Sequence, residues 1–321
     1  MTSRYPERSE FDVVHIGNVC RDVAPDDPRG WRLGGGVAYA SLTTARLGLR
    51  AAALIGADGI AAGAAEFDLL RAAGVTVRVV PLARGPVFDN VETPGGRVQT
   101  CVEPGDPLPV VTVPASWSAA PAWLVVPIAG EAGPTWAAAV PARARLALGW
   151  QGLLRTLSAG QQTSRKQPIA TPLLSRADLV GVSRHDLAPG TQLEALTELL
   201  RPGAQLIVTE GPTGGLLVTA GPAGPPAFLR YRAIAAVQGD PTGAGDVFLA
   251  ALVAAGSAAG ASTDDGWLSD AAFGWAAAAG SLVVEGVGLG AVPTRADVLA
   301  RLDREPSGPW LRPVNADRND T

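Results

Sequence analysis

The clearest chemistry in the sequence lies in one stretch, in which a hydroxyl and a carboxylate are separated by three small residues. Thr242-Gly243-Ala244-Gly245-Asp246 runs directly into an apolar segment, residues 247–253, which predicts a buried helix. The N–H groups of a first helical turn have no partner inside the helix, and glycines let a ligand approach them closely. Gly243, Ala244 and Gly245 are therefore candidates for an anion hole, with Asp246 beside it.

A carboxylate next to an anion site repels the anion, so the position of Asp246 calls for a chemical reason. One reason is a base that takes a proton from a hydroxyl while the hole stabilises a transferring phosphoryl group. The alternative is a helix cap that follows a glycine turn, because Asp is a common capping residue. These residues alone permit both interpretations.

Composition and length exclude several other classes of function. The chain has 321 residues, 17% of them charged, with a net charge of −4, which argues against nucleic-acid binding. The longest apolar run, Ala271 to Val284, is too short to span a bilayer, so we expect no membrane partner. Two cysteines and a polar start, Met1 to Glu10, give no disulfide framework and no signal peptide. We therefore expect a cytoplasmic protein.

Apolar strand patterns alternate with helical patterns along most of the chain. This order predicts an α/β fold with a mostly parallel central sheet and helices on both faces. We expect one domain over residues 11–310, a flexible N-terminus over 1–10 and a tail over 311–321. Alternating segments on either side of the turn at Pro94-Gly95-Gly96 further predict a β-hairpin over residues 86–102.

Two groups of polar residues and glycines follow predicted strands of the sheet. Asp22 comes after the first strand, and Gly34-Gly35-Gly36 opens the next helix. Residues beyond the carboxyl end of a parallel strand line the ligand crevice, so Asp22 is a candidate to hold substrate hydroxyls. A solvated turn aspartate and a flexible hinge are the alternatives. In the predicted hairpin Asn90, with Arg97 and Gln99, is a candidate polar contact, although edge-strand polarity explains these residues equally well.

A second glycine turn lies between two later strands. Thr209, Gly211 and Gly214 stand where the backbone could approach a phosphate closely. The alternative is a hairpin with a glycine turn. No Gly-x-Gly-x-x-Gly follows the first strand, which argues against a nicotinamide enzyme.

The full signature, Asp240-Pro241-Thr242-Gly243-Ala244-Gly245-Asp246 before an apolar helix, resembles that of the ribokinase-like (PfkB) carbohydrate and nucleoside kinases. The order of elements is similar over roughly residues 12–300. The resemblance implies that the hairpin belongs to a small β-sheet lid over the substrate, with strands within about 18–34 and 86–103. The resemblance implies ATP as phosphoryl donor, Mg²⁺ as cofactor and Asp246 as the base. It places Asp22 and Gly34 to Gly36 against the acceptor. It implies contacts with ATP from Thr209, Gly211, Gly214, Thr242 and Gly288. The turn at Gly288 and the helix before it would line the adenine site.

Three positions depart from the pattern of this family or refine it. Tyr39 stands where an asparagine is frequent, which indicates an acceptor that packs against a ring face. Ser183 and Asp186 replace the usual Asn-x-x-Glu, and Asp186 could still order metal-bound water. Gln151 and Arg155 form a Gln-Gly-x-x-Arg element that is similar to one in kinases of inositol and nucleosides.

The sequence therefore predicts an ATP-dependent kinase that phosphorylates a hydroxyl of a small polyol, sugar or nucleoside, with an inositol-like or nucleoside acceptor favoured. The alternative is a regulatory protein that binds nucleotide or sugar on the same fold without turnover. A homodimer through the exposed lid sheet is a further expectation.

Overall fold

A computed structural model describes residues 9–93, 96–221, 224–258 and 268–314. Three expectations lie wholly or partly outside these residues. They are the flexible start over residues 1–8, the hairpin turn at 94–95 and the end of the tail, residues 315–321.

The described residues form a ten-stranded central sheet, a five-stranded sheet and a two-stranded ribbon. The strands are β1 (Val13–Asn18), β2 (Cys20–Val23), β3 (Trp31–Gly34), β4 (Ala51–Ala57), β5 (Thr76–Pro81), β6 (Val87–Thr93), β7 (Gly96–Glu103), β8 (Ala122–Val125), β9 (Arg145–Gly149), β10 (Arg155–Thr156), β11 (Gln161–Gln162), β12 (Ser164–Arg165), β13 (Leu179–Ser183), β14 (Gln205–Thr209), β15 (Gly215–Thr219), β16 (Ala227–Tyr231) and β17 (Leu311–Pro313).

The helices of the described residues differ widely in length. They are α1 (Gly36–Arg46), α2 (Gly59–Ala62), α3 (Glu66–Ala72), α4 (Ala115–Ser118), α5 (Thr135–Ala139), α6 (Pro172–Arg176), α7 (Leu193–Thr197), α8 (Ala244–Ala258), α9 (Asp270–Val283) and α10 (Arg295–Leu302). The longest three, α8, α9 and α1, pack together.

The central sheet has the order β17-β16-β15-β14-β13-β9-β8-β1-β4-β5. Its strands pair in parallel from β14 to β5, whereas β14 to β17 pair antiparallel. Two hydrophobic clusters lie on opposite faces, one with α1, α8 and α9, the other with α6, α7 and several tryptophans. This arrangement confirms the predicted α/β class, since parallel strands need both faces covered.

The five-stranded sheet is the lid, with the order β11-β7-β6-β2-β3. Strands β2, β3, β6 and β7 fall within the two ranges given by the sequence. The fifth, β11, is only two residues long and pairs with Cys101 and Thr100 of β7. It comes from the polar segment before Lys166, whose own N–H donates to the Leu154 carbonyl at 2.7 Å.

Between β4 and β5 the chain forms two short helices, α2 and α3, because Gly63 ends the first of them. One boundary differs from the one expected. Leu311–Pro313 pairs with β16 as the last strand of the central sheet, so the predicted tail begins too early. Pro313 is tolerated there because β17 is an edge strand.

Candidate active site

The signature loop ends in a helix start that is open toward one face of the sheet. Gly243 has φ +79°, a conformation that favours glycine, and α8 begins at the next residue. The side chains from Val247 to Ala254 are all buried, as the apolar run predicts. The Ala244 N–H donates to the Pro241 carbonyl at 3.2 Å. Gly243, Ala244 and Gly245 are the three predicted N–H donors of the anion hole. The Ala244 N–H would have to be shared between the Pro241 carbonyl and a bound anion.

The Tyr39 ring packs against Gly243 of this loop. Its side chain is buried, with only 2% exposed. A β-carbon at position 243 would lie 2.4 Å from Tyr39 Cδ1. The ring therefore explains why residue 243 has no side chain. Because Gly243 covers the ring, the ring offers little face to an acceptor, and we assign Tyr39 to the support of the loop.

The turn Gly34–Gly36 brings the two candidate carboxylates to its two ends. A β-carbon at position 34 would lie 2.1 Å from Asp22 Oδ2, and one at position 36 would lie 2.7 Å from Asp246 Oδ1. Gly35 between them has φ +109°. Glycine is needed at the outer two positions because a carboxylate occupies the space of the missing side chain. The predicted acceptor turn and the predicted base are thus in contact.

Both carboxylates hold their protons more tightly than usual. Burial, with a smaller contribution from the charge of Asp186, raises the pKa of Asp246 to about 7, and the charge of Arg155 opposes this rise. Burial also raises the pKa of Asp22 to about 6, against hydrogen bonds from Cys20 and Asn90. A buried carboxylate favours its neutral form. Asp246 is therefore poised near neutral pH, as a general base requires.

A chain of hydrogen bonds runs across the lid sheet, from Asp22 on β2 to β6 and β7. Asn90 Nδ2 donates to Asp22 Oδ1 at 3.2 Å, and Gln99 Nε2 donates to Asn90 Oδ1 at 2.9 Å. The remaining amide oxygen, Gln99 Oε1, is buried and has no partner within the described residues. Both ends of this chain offer acceptor oxygens, so a ligand held there has to donate hydrogen bonds.

Gln151, Arg155 and Asp186 come together on the other side of Asp246. Arg155 pairs with Asp186 Oδ1 at 3.3 Å, and Gln151 Nε2 lies 3.3 Å from the same oxygen. Asp186 is thus already neutralised by a guanidinium. No group of three or more His, Cys, Asp or Glu side chains in the described part of the chain is placed to hold a metal ion. Asp186 and Gln151 offer oxygen atoms, which suit a Mg²⁺ ion that is bound mainly by phosphate oxygens and keeps its waters.

The second glycine turn joins β14 to β15, which pair antiparallel as a hairpin. At Gly214, with φ +88°, a β-carbon would lie 2.1 Å from the Tyr231 carbonyl oxygen, so packing requires this glycine. Gly211, with φ +61°, has open space around its missing side chain. Thr209 ends β14. Of these three residues, Gly211 has the clearest access to a ligand.

The end of α9 is tied to the signature loop. The N–H groups of Gly239 and Asp240 donate to the Val284 carbonyl at 2.7 and 3.1 Å. Gly288, with φ +63°, precedes a short 3₁₀ turn in the same connection. Val287 is 52% exposed and Val237, before the signature, is 83% exposed. Two apolar side chains thus border the face next to the loop.

The sequence assigned no individual role to three polar residues beside these groups, Cys20, Asp240 and Glu131. Cys20 Sγ lies 3.6 Å from Asp22 Oδ1. Asp240 accepts the Thr242 N–H at 2.9 Å and the Thr242 hydroxyl at 2.6 Å. Glu131 is buried and accepts N–H groups from Asn18, Ile128 and Ala129, which fixes the ends of β1 and β8. Cys20 lies two residues before Asp22, so alternation along a strand could have indicated it, whereas Glu131 carries no such signal.

Comparison with known proteins gives a family match over part of the chain and a fold for nearly all of it. The sequence profile of the pfkB family carbohydrate kinases matches residues 158–295. No curated protein sequence shows a significant match to the chain. The longest helix, α8, is shorter than the 18 residues that a membrane-spanning helix would need, in the part of the chain that the structure describes.

Solved structures of the ribokinase family are similar over nearly the whole chain. A pyrophosphate-dependent kinase of that family, complexed with a pyrophosphate analogue and myo-inositol, is 20% identical, with a TM-score of 0.67 and coverage of 90% of this chain and 99% of that one. Ribokinase from Arabidopsis thaliana, complexed with ribose and ATP, is 20% identical, with a TM-score of 0.65 and coverage of 92% and 99%. Ribokinase from Thermotoga maritima is 18% identical, with a TM-score of 0.63 and coverage of 92% and 100%.

At these identities the structural similarity establishes the fold, and the profile match is confined to residues 158–295. Both agree with the resemblance seen at Asp240 to Asp246. The chain has the ribokinase-like fold, and its residues 158–295 are similar to the pfkB family carbohydrate kinases.

Proposed function

We propose that this chain transfers the γ-phosphoryl group of ATP to a hydroxyl of a small polyol, with Asp246 as the base. One observation carries the proposal, namely the contact of Asp246 and Asp22 with the two ends of the Gly34–Gly36 turn. A hydroxyl bound at this turn lies within reach of a base whose pKa is about 7. Catalysis of this kind depends on positioning and on neutralising charge.

Each residue has a distinct task in this proposal. Asp22 accepts hydrogen bonds from acceptor hydroxyls and so orients the ligand. Asp246 takes the proton of the hydroxyl that attacks. The N–H groups of Gly243, Ala244 and Gly245 stabilise the charge on the transferring group. Arg155 lies close enough to affect the pKa of Asp246, and we place it against the transferring phosphoryl group.

The donor side takes ATP with Mg²⁺ in our proposal. The exposed Val237 and Val287 beside the signature loop favour a nucleobase there, because apolar side chains commonly line such sites. When bound, Mg²⁺ neutralises charge on the donor phosphates. Asp186 would order its water, although the ion pair with Arg155 weakens that role. Thr209, Gly211, Gly214, Thr242 and Gly288 are the proposed donor contacts.

The acceptor pocket favours a ligand rich in hydroxyl groups. Asp22 and Gln99 Oε1 both offer acceptor oxygens, and Asn90 joins them. A cyclic polyol such as inositol supplies several donors at once. A nucleoside would gain less, because Gly243 covers the Tyr39 ring on which its base could stack. We therefore propose an inositol-like acceptor, with Gln151 at the far side of the pocket.

The test is a phosphorylation screen of the purified chain with Mg²⁺ over inositols, sugars and nucleosides. ATP is the donor, and pyrophosphate is included because a structural neighbour depends on it. We expect turnover with a polyol. Asp246→Asn should lower kcat by about 10² to 10⁴ without changing the circular dichroism spectrum, because the base is lost.

Two outcomes of this screen would count against the proposal. Near-normal turnover by Asp246→Asn would remove the assignment of the base. A wild-type protein that binds nucleotide or polyol but never transfers phosphate would establish the alternative, a non-catalytic binding protein.

A further inference from the structure

A cation of the lid contacts the loop that forms the anion hole. Arg97, on β7, donates through Nη1 to Thr242 Oγ1 at 3.0 Å and through Nη2 to Asp240 Oδ1 at 3.3 Å. A strand of the lid sheet thus contacts the signature loop directly. The ion pair lies at the surface, with 31% of the Arg97 side chain and 23% of the Asp240 side chain exposed.

Asp240 shapes the entry to the hole. Its Oδ1 atom accepts both the N–H and the hydroxyl of Thr242, the residue before Gly243. Burial tends to raise the pKa of Asp240, but the Thr242 hydrogen bonds and the charge of Arg97 outweigh this and hold it below its ordinary value. A fixed negative charge therefore lies beside the first residues of the hole.

This charge opposes the binding of a phosphate unless a cation neutralises it. On the other side of the site, Arg155 pairs with Asp186. For Asp240 the cation is Arg97, and the lid carries it. The same strand carries Gln99, which reaches Asp22 through Asn90. Strand β7 thus contacts the acceptor side and the phosphate side at once.

We propose that Arg97 is a positioning residue that couples acceptor binding to phosphate binding. It neutralises Asp240 and holds the signature loop only when β7 lies over the acceptor pocket. An acceptor that binds Asp22, Asn90 and Gln99 on the lid and Asp246 on α8 draws β7 into place, and Arg97 then completes the anion hole. This inference rests on the proposed kinase function.

The test is a double-mutant cycle on the full chain, with Arg97→Ala, Asp240→Asn and the double variant. The Asn oxygen can still accept the Thr242 N–H, so the loop keeps its shape while the charge is removed. The apparent affinity for ATP with Mg²⁺ is measured without and with saturating acceptor, using myo-inositol and ribose as probes. Arg97→Lys tests rescue by charge. Arg84→Ala is the matched control, because Arg84 pairs with Asp106 and Glu103 away from the site.

We expect the acceptor to tighten ATP binding of the wild type about fivefold or more, as for a coupled pair of sites. Arg97→Ala should reduce this factor to about twofold or less. It should also lower kcat/KM for ATP about tenfold, which lies within the range of interaction energies between residues in direct contact. In the Asp240→Asn background the same change should cost little, since the charge to be neutralised is gone. Arg97→Lys should recover part of the loss, and Arg84→Ala should behave as wild type.

Additive losses in the cycle, or an unchanged coupling factor in Arg97→Ala, would overturn the inference while leaving the kinase function intact. An ATP affinity of the wild type that does not depend on the acceptor would do the same. A wild type that neither binds ATP nor transfers phosphate would instead remove the proposed function, and the inference with it. Melting temperatures identify a variant that fails to fold, in which case Arg97→Lys alone decides.

Discussion

Burial of Asp246 lowers the stability of the folded chain. Its pKa is about 7 in the folded chain, against 3.8 for an exposed aspartate. Between these values the folded state keeps a proton that the unfolded state has released. Stability therefore falls as the pH rises from about 4 to 7, and the full cost is present at pH 8. Functional sites commonly carry such a local cost.

We predict that Asp246→Asn, although inactive, is more stable than the wild type at pH 8. The gain should be about 1–3 kcal/mol, because asparagine has no charge to bury. The difference should shrink as the pH falls through 4 and vanish near pH 3, where the wild-type carboxyl is protonated in both states. Thermal unfolding at several pH values measures this.

Asp12→Asn is the control with the opposite sign. Arg50 pairs with Asp12 and, against the effect of burial, holds its pKa below the ordinary value. This variant should lose stability at pH 8. Equal melting temperatures of wild type and Asp246→Asn across the range would contradict a buried, proton-holding carboxyl.

At the scale of elements, the site is formed where α1 and α8 begin side by side. Gly36 is the first residue of α1, and its missing side chain leaves room for Asp246 near the start of α8. Alanine is a good helix former at this position, so a change there affects the contact more than the helix.

We predict that Gly36→Ala lowers kcat strongly, by about a hundredfold, since a misplaced catalytic group costs this much. The added methyl would meet Asp246 Oδ1 at 2.7 Å and displace the base. Steady-state kinetics and a melting curve measure the two effects separately. Gly59→Ala is the control, because it also lies at a helix start and its missing side chain faces open space. Equal activity of both variants would show that the turn does not position the base.

The sequence predicted what is local and missed what depends on packing between distant elements. The order of strands and glycine turns indicated the α/β class, and the spacing within Thr242 to Asp246 indicated the helix start. Nothing in the sequence indicated that Arg97 meets Asp240, 143 positions away, because that contact depends on where the lid docks. Strand β11 was missed because two residues are too few to show alternation.

At the scale of the whole molecule, the lid presents apolar side chains outward. Asn90 and Cys101 point toward the site, so their neighbours Val91 and Val102 face away, with 50% and 46% exposed. The edge strands β3 and β11 bound this sheet. Exposed apolar surface of this kind commonly marks an interface.

We predict a homodimer that forms through the lid, which sedimentation velocity over a range of concentrations would detect. Val91→Glu with Val102→Glu should yield monomers, since the charges would be buried without partners. Leu299→Glu, on α10 and 41% exposed, is the control and should leave the association unchanged. A wild type that stays monomeric at high concentration would contradict the prediction.

The short strand β11 has a practical consequence, because the only lysine of the chain follows it closely. Lys166 is exposed and lies four residues beyond Gln162, which pairs with lid strand β7. Apart from the α-amino group, this ammonium is the one target for amine-reactive dyes. Once the α-amino group is blocked, a dye marks Lys166 alone. A single fluorophore beside the small sheet could in this way report its movement without any substitution.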